Sequence, residues 1–111
     1  MPYVYVLVRR DISLADQMVQ AAHASQESGA QFGCPDSCHM VLCGVKDESE
    51  LRAAALHIEL NNIQLAMFYE PDSDQFTGKP MGYTALCTEP IHGEQRKAMR
   101  KFQTWKEDVG N

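Results

Sequence analysis

The chain lacks any apolar run near the ~20 residues that a membrane-spanning helix requires, and no basic segment leads into a hydrophobic core at its start. The expectation is a cytoplasmic protein with no membrane contact. It also lacks a glycine loop followed by a lysine of the kind that cradles phosphates, which disfavours a nucleotide hydrolase. Cysteine is sparse, with four residues, at 34, 38, 43 and 87, and a secreted disulfide scaffold would be shorter and denser in them, so free thiols are expected. Cys34, Cys38 and His39 suggest a metal site, but zinc needs a recognisable second ligand pair and Cys43 falls in a strand-like run. No metal and no other cofactor is expected. Cations are outnumbered too: 10 Lys and Arg against 15 Asp and Glu leave a net charge of −5. That argues against indiscriminate nucleic-acid binding, while a local basic patch could still dock a phosphate backbone. Internal repeats, linkers and low-complexity segments are missing, so the 111 residues read as one domain.

What is present is an alternation of strand-like and helix-like segments. Residues 3–8 form a continuous apolar run rich in β-formers, ending abruptly at Arg9, Arg10 and Asp11. Ser13 can cap a helix that runs to about Ser28 and ends at Gly29 and Gly33, before the turn-rich Cys34-Pro35-Asp36-Ser37. His39 to Val45 reads as a second strand. Asp47 caps a second helix, with Glu50 at the capping-box position, Leu51, Ala54, Ala55 and Ile58 on its packing side and Asn61-Asn62 at its end. Residues 63–69 read as a third strand, 70–78 as a polar loop whose Asp72 and Asp74 are solvated charges, and 83–88 as a fourth strand. Pro90 should open a last helix with Ala98, Met99, Phe102 and Trp105 on one side and Arg96, Lys97, Arg100 and Lys101 on the other. The order β-α-β-α-β-β-α predicts a three-layer α/β/α domain. Two helical crossovers imply parallel pairing of the strands they join, and the short last link makes the fourth strand of this small mixed sheet antiparallel.

In open sheets of this kind ligands bind beyond the carboxyl ends of the parallel strands. Arg9, Arg10, Asp11, Lys46 and Glu70 fall there. On the first helix Asp16, Gln20, His23 and Glu27 share one stripe, expected to present polar groups, while Leu14, Met18, Ala21, Ala22 and Ser25 lie opposite and should pack. Arginines could hold an anionic substrate, with His23 or Glu70 as a base and Thr84 as a substrate-binding or catalytic hydroxyl. A helical histidine equally serves packing, Glu70 could be a surface charge, and Thr84 is also an ordinary β-former.

The motif Val6-Leu7-Val8-Arg9-Arg10-Asp11-Ile12 followed by Gln20-Ala21-Ala22-His23-Ala24 resembles the type 2, archaeal and eukaryotic, peptidyl-tRNA hydrolases, in which a strand ends in arginine and aspartate and a helix carries Q-x-A-H-A. His39 to Val45, Asp47 to Leu51 and Tyr83 to Pro90 match later elements, so the similarity spans nearly the whole chain. The resemblance implies a four-stranded mixed sheet and cofactor-free cleavage of the ester between a peptide and the tRNA 3′ ribose. It attributes catalysis to a lysine, an aspartate and a threonine. Thr84 stands at the threonine position and Glu70 replaces the aspartate, but Asp16 stands where the lysine falls and the signature after the third strand is absent. The sequence is therefore closer to a divergent branch, the peptidyl-tRNA-hydrolase-domain proteins. The expected function is hydrolysis of an RNA-linked ester, with Glu70, Thr84 and His23 catalytic and Arg9, Arg10, Asp11 and Gln20 binding substrate. The alternative is a non-catalytic tRNA- or protein-binding module of the same fold, and exposed apolar residues on the last helix would allow a homodimer.

Overall fold

The computed structural model describes residues 1–107. The elements follow in the order β1 (Tyr3–Arg9), α1 (Leu14–Phe32), β2 (His39–Val45), α2 (Glu48–Leu60), β3 (Leu65–Ser73) and β4 (Pro80–Thr88), then a short 3-10 helix, Gly93–Met99. The sheet order is β2-β1-β4-β3, with β1 parallel to β2 and β4 antiparallel to both β1 and β3. This is the expected α/β fold with a four-stranded mixed sheet and an antiparallel fourth strand. One pairing differs from expectation. The crossover through α2 carries the chain from one edge of the sheet to the other, so β2 and β3 are not neighbours.

Period-two alternation in β1 explains why helices cover both faces. Tyr5 and Leu7 point toward Leu51, Ala54, Ala55 and Ile58 of α2, joined by Cys43, Val45 and Leu86. Val6 and Val8 point the other way, toward Ala24 of α1, with Ala85 and Cys87. Local signals fix the helix ends. Ser13 Oγ accepts from Asp16 N at 3.2 Å, Asp47 Oδ1 accepts from Glu50 N at 2.9 Å, and Asn62 takes the positive φ of 60° that follows α2. α1 continues through Gly29 to Phe32 and stops only at Gly33.

The hairpin is longer than its sequence suggests. β3 runs on to Ser73 and β4 starts at Pro80, so the loop shrinks to residues 74–79. Polar residues there alternate poorly with apolar ones, and antiparallel pairing carried by the backbone prevails over side-chain pattern.

The last helix is the main correction. Only Gly93–Met99 is helical, and 3-10 in form; the chain then turns, and residues 103–105 line up beside β2. Gly44 N donates to Gln103 O at 3.1 Å and Trp105 N to Leu42 O at 2.8 Å. β2 is an edge strand whose unpaired backbone groups need partners, and this segment supplies them in place of another helical turn. Met99 and Phe102 consequently stay with the α2-side core while Trp105 packs on the α1 side. The cationic face dissolves as well. Arg96 Nε donates to Tyr5 Oη at 2.9 Å and its guanidinium lies 3.5 Å from the Tyr3 ring, while Lys97 pairs with Glu94 at 2.8 Å.

Candidate functional site

α1 lies on the sheet with one member of its polar stripe, Gln20, turned inward. Gln20, Ala24 and Ser28 are buried, whereas Leu14, Met18 and Ala22 are exposed. The helix is thus rotated from expectation, not inverted: Gln20 turns inward, while Ala21 still packs and Glu27 stays exposed. Small residues beneath the helix, Ala85 and Cys87, allow close approach, and each buried polar group finds a partner, which removes the penalty for burying it. Ser28 Oγ donates to Thr88 O at 2.8 Å.

Gln20 is at the centre. Thr84 Oγ1 donates to Gln20 Oε1 at 2.7 Å, and Gln20 Nε2 donates to Glu70 Oε1 at 3.2 Å. Thr84 reaches α1 because β4 is irregular at this point. Phe68 pairs with Ala85 and Tyr69 with Tyr83, leaving Thr84 as an extra residue. Strict alternation from Ala85 would have turned Thr84 toward α2; the bulge turns it toward Gln20 instead. One end of this chain is sealed and the other open: Thr84 is 0% and Gln20 1% exposed, whereas Glu70 is half-buried. Glu70 Oε2 lies 3.5 Å from Asp72 N.

α1 and β3 run in opposite directions, so Ser13 meets Asp74, Gln20 meets Glu70 and His23 meets Phe68. His23 stacks on Phe68 with centroids 4.5 Å apart and planes 3° from parallel. Among the described residues no hydrogen bond joins it to Glu70, Gln20 or Thr84, so its place is beside the chain and one turn along the helix.

Arg9 and Asp11 form a pair of their own. Arg9 is 5% exposed; its Nε and Nη2 each lie 2.9 Å from an Asp11 carboxylate oxygen, and Nη1 donates to the carbonyls of Met81 and Tyr83. The hydrogen bond and charge of Asp11 raise the Arg9 pKa despite burial. This pair buckles β1 to β4; Arg9 is enclosed, whereas Asp11 keeps a partly exposed carboxylate. The same region holds Gly82, at φ 64°, where a Cβ would collide with the Glu48 carboxylate that accepts from Tyr83 N at 2.8 Å. Arg10 is exposed, its stem lying over Gly44, where any Cβ would strike it. Arg10, Lys46 and Lys106 line a groove of about 570 Å³ together with Gln17, Trp105 and the acidic Asp11, Glu50 and Glu107. No hydrogen bond or ion pair among the described residues links Arg9, Arg10 or Asp11 to Glu70, Gln20 or Thr84. The strand-end set is therefore not joined in one side-chain network, although Arg9 bonds the carbonyl of Tyr83 beside Thr84.

Asp74, expected as a solvated charge, is 1% exposed. It accepts from Ser13 N at 2.9 Å, Phe76 N at 2.8 Å and Thr77 N at 3.3 Å, and these bonds, that from Ser13 foremost, lower its pKa although burial opposes them. It sits where an external anion would approach the start of α1, a position already negative through Asp16. The Asp-x-x-Thr-Gly run at 74–78 was its available turn signal. Gln17 was also missed: Trp105 Nε1 donates to its Oε1 at 2.8 Å, and its Nε2 donates to Ile12 O at 2.8 Å. Nothing local connects residues 88 positions apart. No family model matches the chain, and no curated protein matches it either.

Proposed function

We propose that the protein hydrolyses an ester linking a peptide or aminoacyl group to the 3′ ribose of tRNA, with the open end of the Thr84–Gln20–Glu70 chain as its working group. The observation that carries this is the hydrogen-bonded chain itself: a buried hydroxyl orients an amide, and the amide orients a carboxylate at the surface of the α1 side. The resemblance to type 2 peptidyl-tRNA hydrolases supplies the substrate class. Glu70 takes a proton from water, the oxygen attacks the ester carbonyl, the carbon–oxygen bond to ribose breaks, and the proton passes to the departing ribose oxygen. Thr84 acts through Gln20 and does not touch the substrate, because its hydroxyl is enclosed. His23, held flat on Phe68, bounds the site on the next turn of α1.

A second reading is a tRNA-binding module without turnover. It is favoured by Asp16, which stands at the lysine position and accepts from Ser13 Oγ at 3.0 Å. Release of free tRNA from peptidyl-tRNA by wild-type protein, lost in Glu70→Gln, supports hydrolysis. Salt-sensitive tRNA binding without release at any protein concentration would leave the module.

A further inference from the structure

Three thiols gather away from the Glu70 chain. Cys34 and Cys38 flank Pro35-Asp36-Ser37 in the link from α1 to β2, and with Cys87 they line one cavity of about 100 Å³ whose walls include Val4, Ser28 and Met40. Cys34 is exposed, Cys38 half-buried and Cys87 buried. Burial raises the Cys38 pKa, and so does the nearby charge of Cys34, while burial pushes the Cys87 thiol up to about 11. Cys34 is therefore the thiol that a dissolved oxidant meets first, and Cys38 is the neighbouring thiol on the wall of the same cavity. Cys87 is a poor partner, since it is fixed in a central strand with its Sγ 3.5 Å from Thr88 O. Among the described residues no three His, Cys, Asp or Glu stand as a metal-binding group.

We infer that Cys34 and Cys38 are an oxidisable pair that takes a hydroperoxide as its oxidant. The Cys34 thiolate attacks one peroxide oxygen, a sulfur–oxygen bond forms as the oxygen–oxygen bond breaks, and water or an alcohol leaves. Sulfur is oxidised and the peroxide reduced. Cys38 then attacks the sulfenic sulfur, the disulfide forms, and the hydroxyl departs as water with the thiol proton. The product pins the link between α1 and β2 and closes one wall of the cavity.

Peptide mapping of folded protein treated with hydrogen peroxide and then alkylated tests this. The expected result is loss of two hydrogens in one cross-linked Cys34–Cys38 species, with Cys43 and Cys87 alkylated only after unfolding. Cys34→Ser should abolish that loss, and Cys38→Ser should leave a sulfenic acid on Cys34 that dimedone traps. Both positions lie in a surface link, and circular dichroism confirms that each variant is folded. Oxidation of Cys34 that never links to Cys38, ending in sulfinic acid or in a disulfide between chains, would overturn the pairing. So would a link that forms no faster in folded protein than in urea.

Discussion

Glu70 and Thr84 differ in what they can reach, and substitutions should separate them. Under the proposed hydrolysis, Glu70→Gln keeps the shape but removes the proton acceptor, so turnover on peptidyl-tRNA should fall by about 10²–10⁴, the range for loss of a general base. Thr84→Val deletes one neutral hydrogen bond to Gln20, and about 1 kcal/mol of lost orientation corresponds to a fall of about five- to tenfold. Steady-state kinetics should place both losses in kcat. Equal losses would mean that Thr84 touches the reacting atoms after all. Arg9 is a different case, because its guanidinium is buried and doubly bonded to Asp11. Arg9→Met should destabilise the fold by ~3 kcal/mol, by leaving Asp11 and two carbonyls without their donor. Urea denaturation measures this, and a change within experimental error would show that the buckle is dispensable.

The β3–β4 hairpin is fastened to α1 at Ser13 by Asp74. Because its pKa is lowered from the ordinary 3.8 on folding, Asp74 contributes stability that is fully present above that value and disappears as pH falls through its lower folded pKa. Wild-type protein should therefore be more stable than Asp74→Asn at neutral pH, with the gap closing below about pH 4. Denaturant midpoints across pH decide this; a gap independent of pH would assign the fastening to something other than the carboxylate. The segment after Met99 shows the same dependence on a distant partner. Its apolar residues at 99, 102 and 105 fit a helical stripe, yet β2 recruits its backbone, and Trp105 crosses to Gln17 on the other side of the sheet.

Across the whole molecule, charge is where an RNA reading must be tested. No helix among the described residues is long and apolar enough to cross a membrane. With Arg9 enclosed and Arg96 engaged by Tyr3 and Tyr5, the exposed cations at the carboxyl ends of β1 and β2 are Arg10 and Lys46. If tRNA lies along their groove, Arg10→Glu with Lys46→Glu should weaken binding more than Arg100→Glu with Lys101→Glu, and should flatten the salt dependence by roughly two ion equivalents. Filter binding between low and moderate salt reads both, and a larger loss from residues 100 and 101 would move the RNA to the adjoining surface beyond Gly44 and Gln103.

The sequence by itself determined the strand and helix alternation, the caps at Ser13 and Asp47, the left-handed stop at Asn62 and the antiparallel fourth strand. Each of these depends on neighbours within a few positions, where propensity and turn chemistry act directly. Gln20, Glu70 and Thr84 were also visible as candidates. Only the tertiary structure decided that they form one chain, because their meeting requires a bulge that turns Thr84 over and a helix rotated so that Gln20 faces the sheet. It alone buried Arg9 and Asp74, whose partners are supplied by other elements. It also ended the last helix at Met99, since the unpaired edge of β2, invisible to any local window, offered that backbone hydrogen bonds that another helical turn could not.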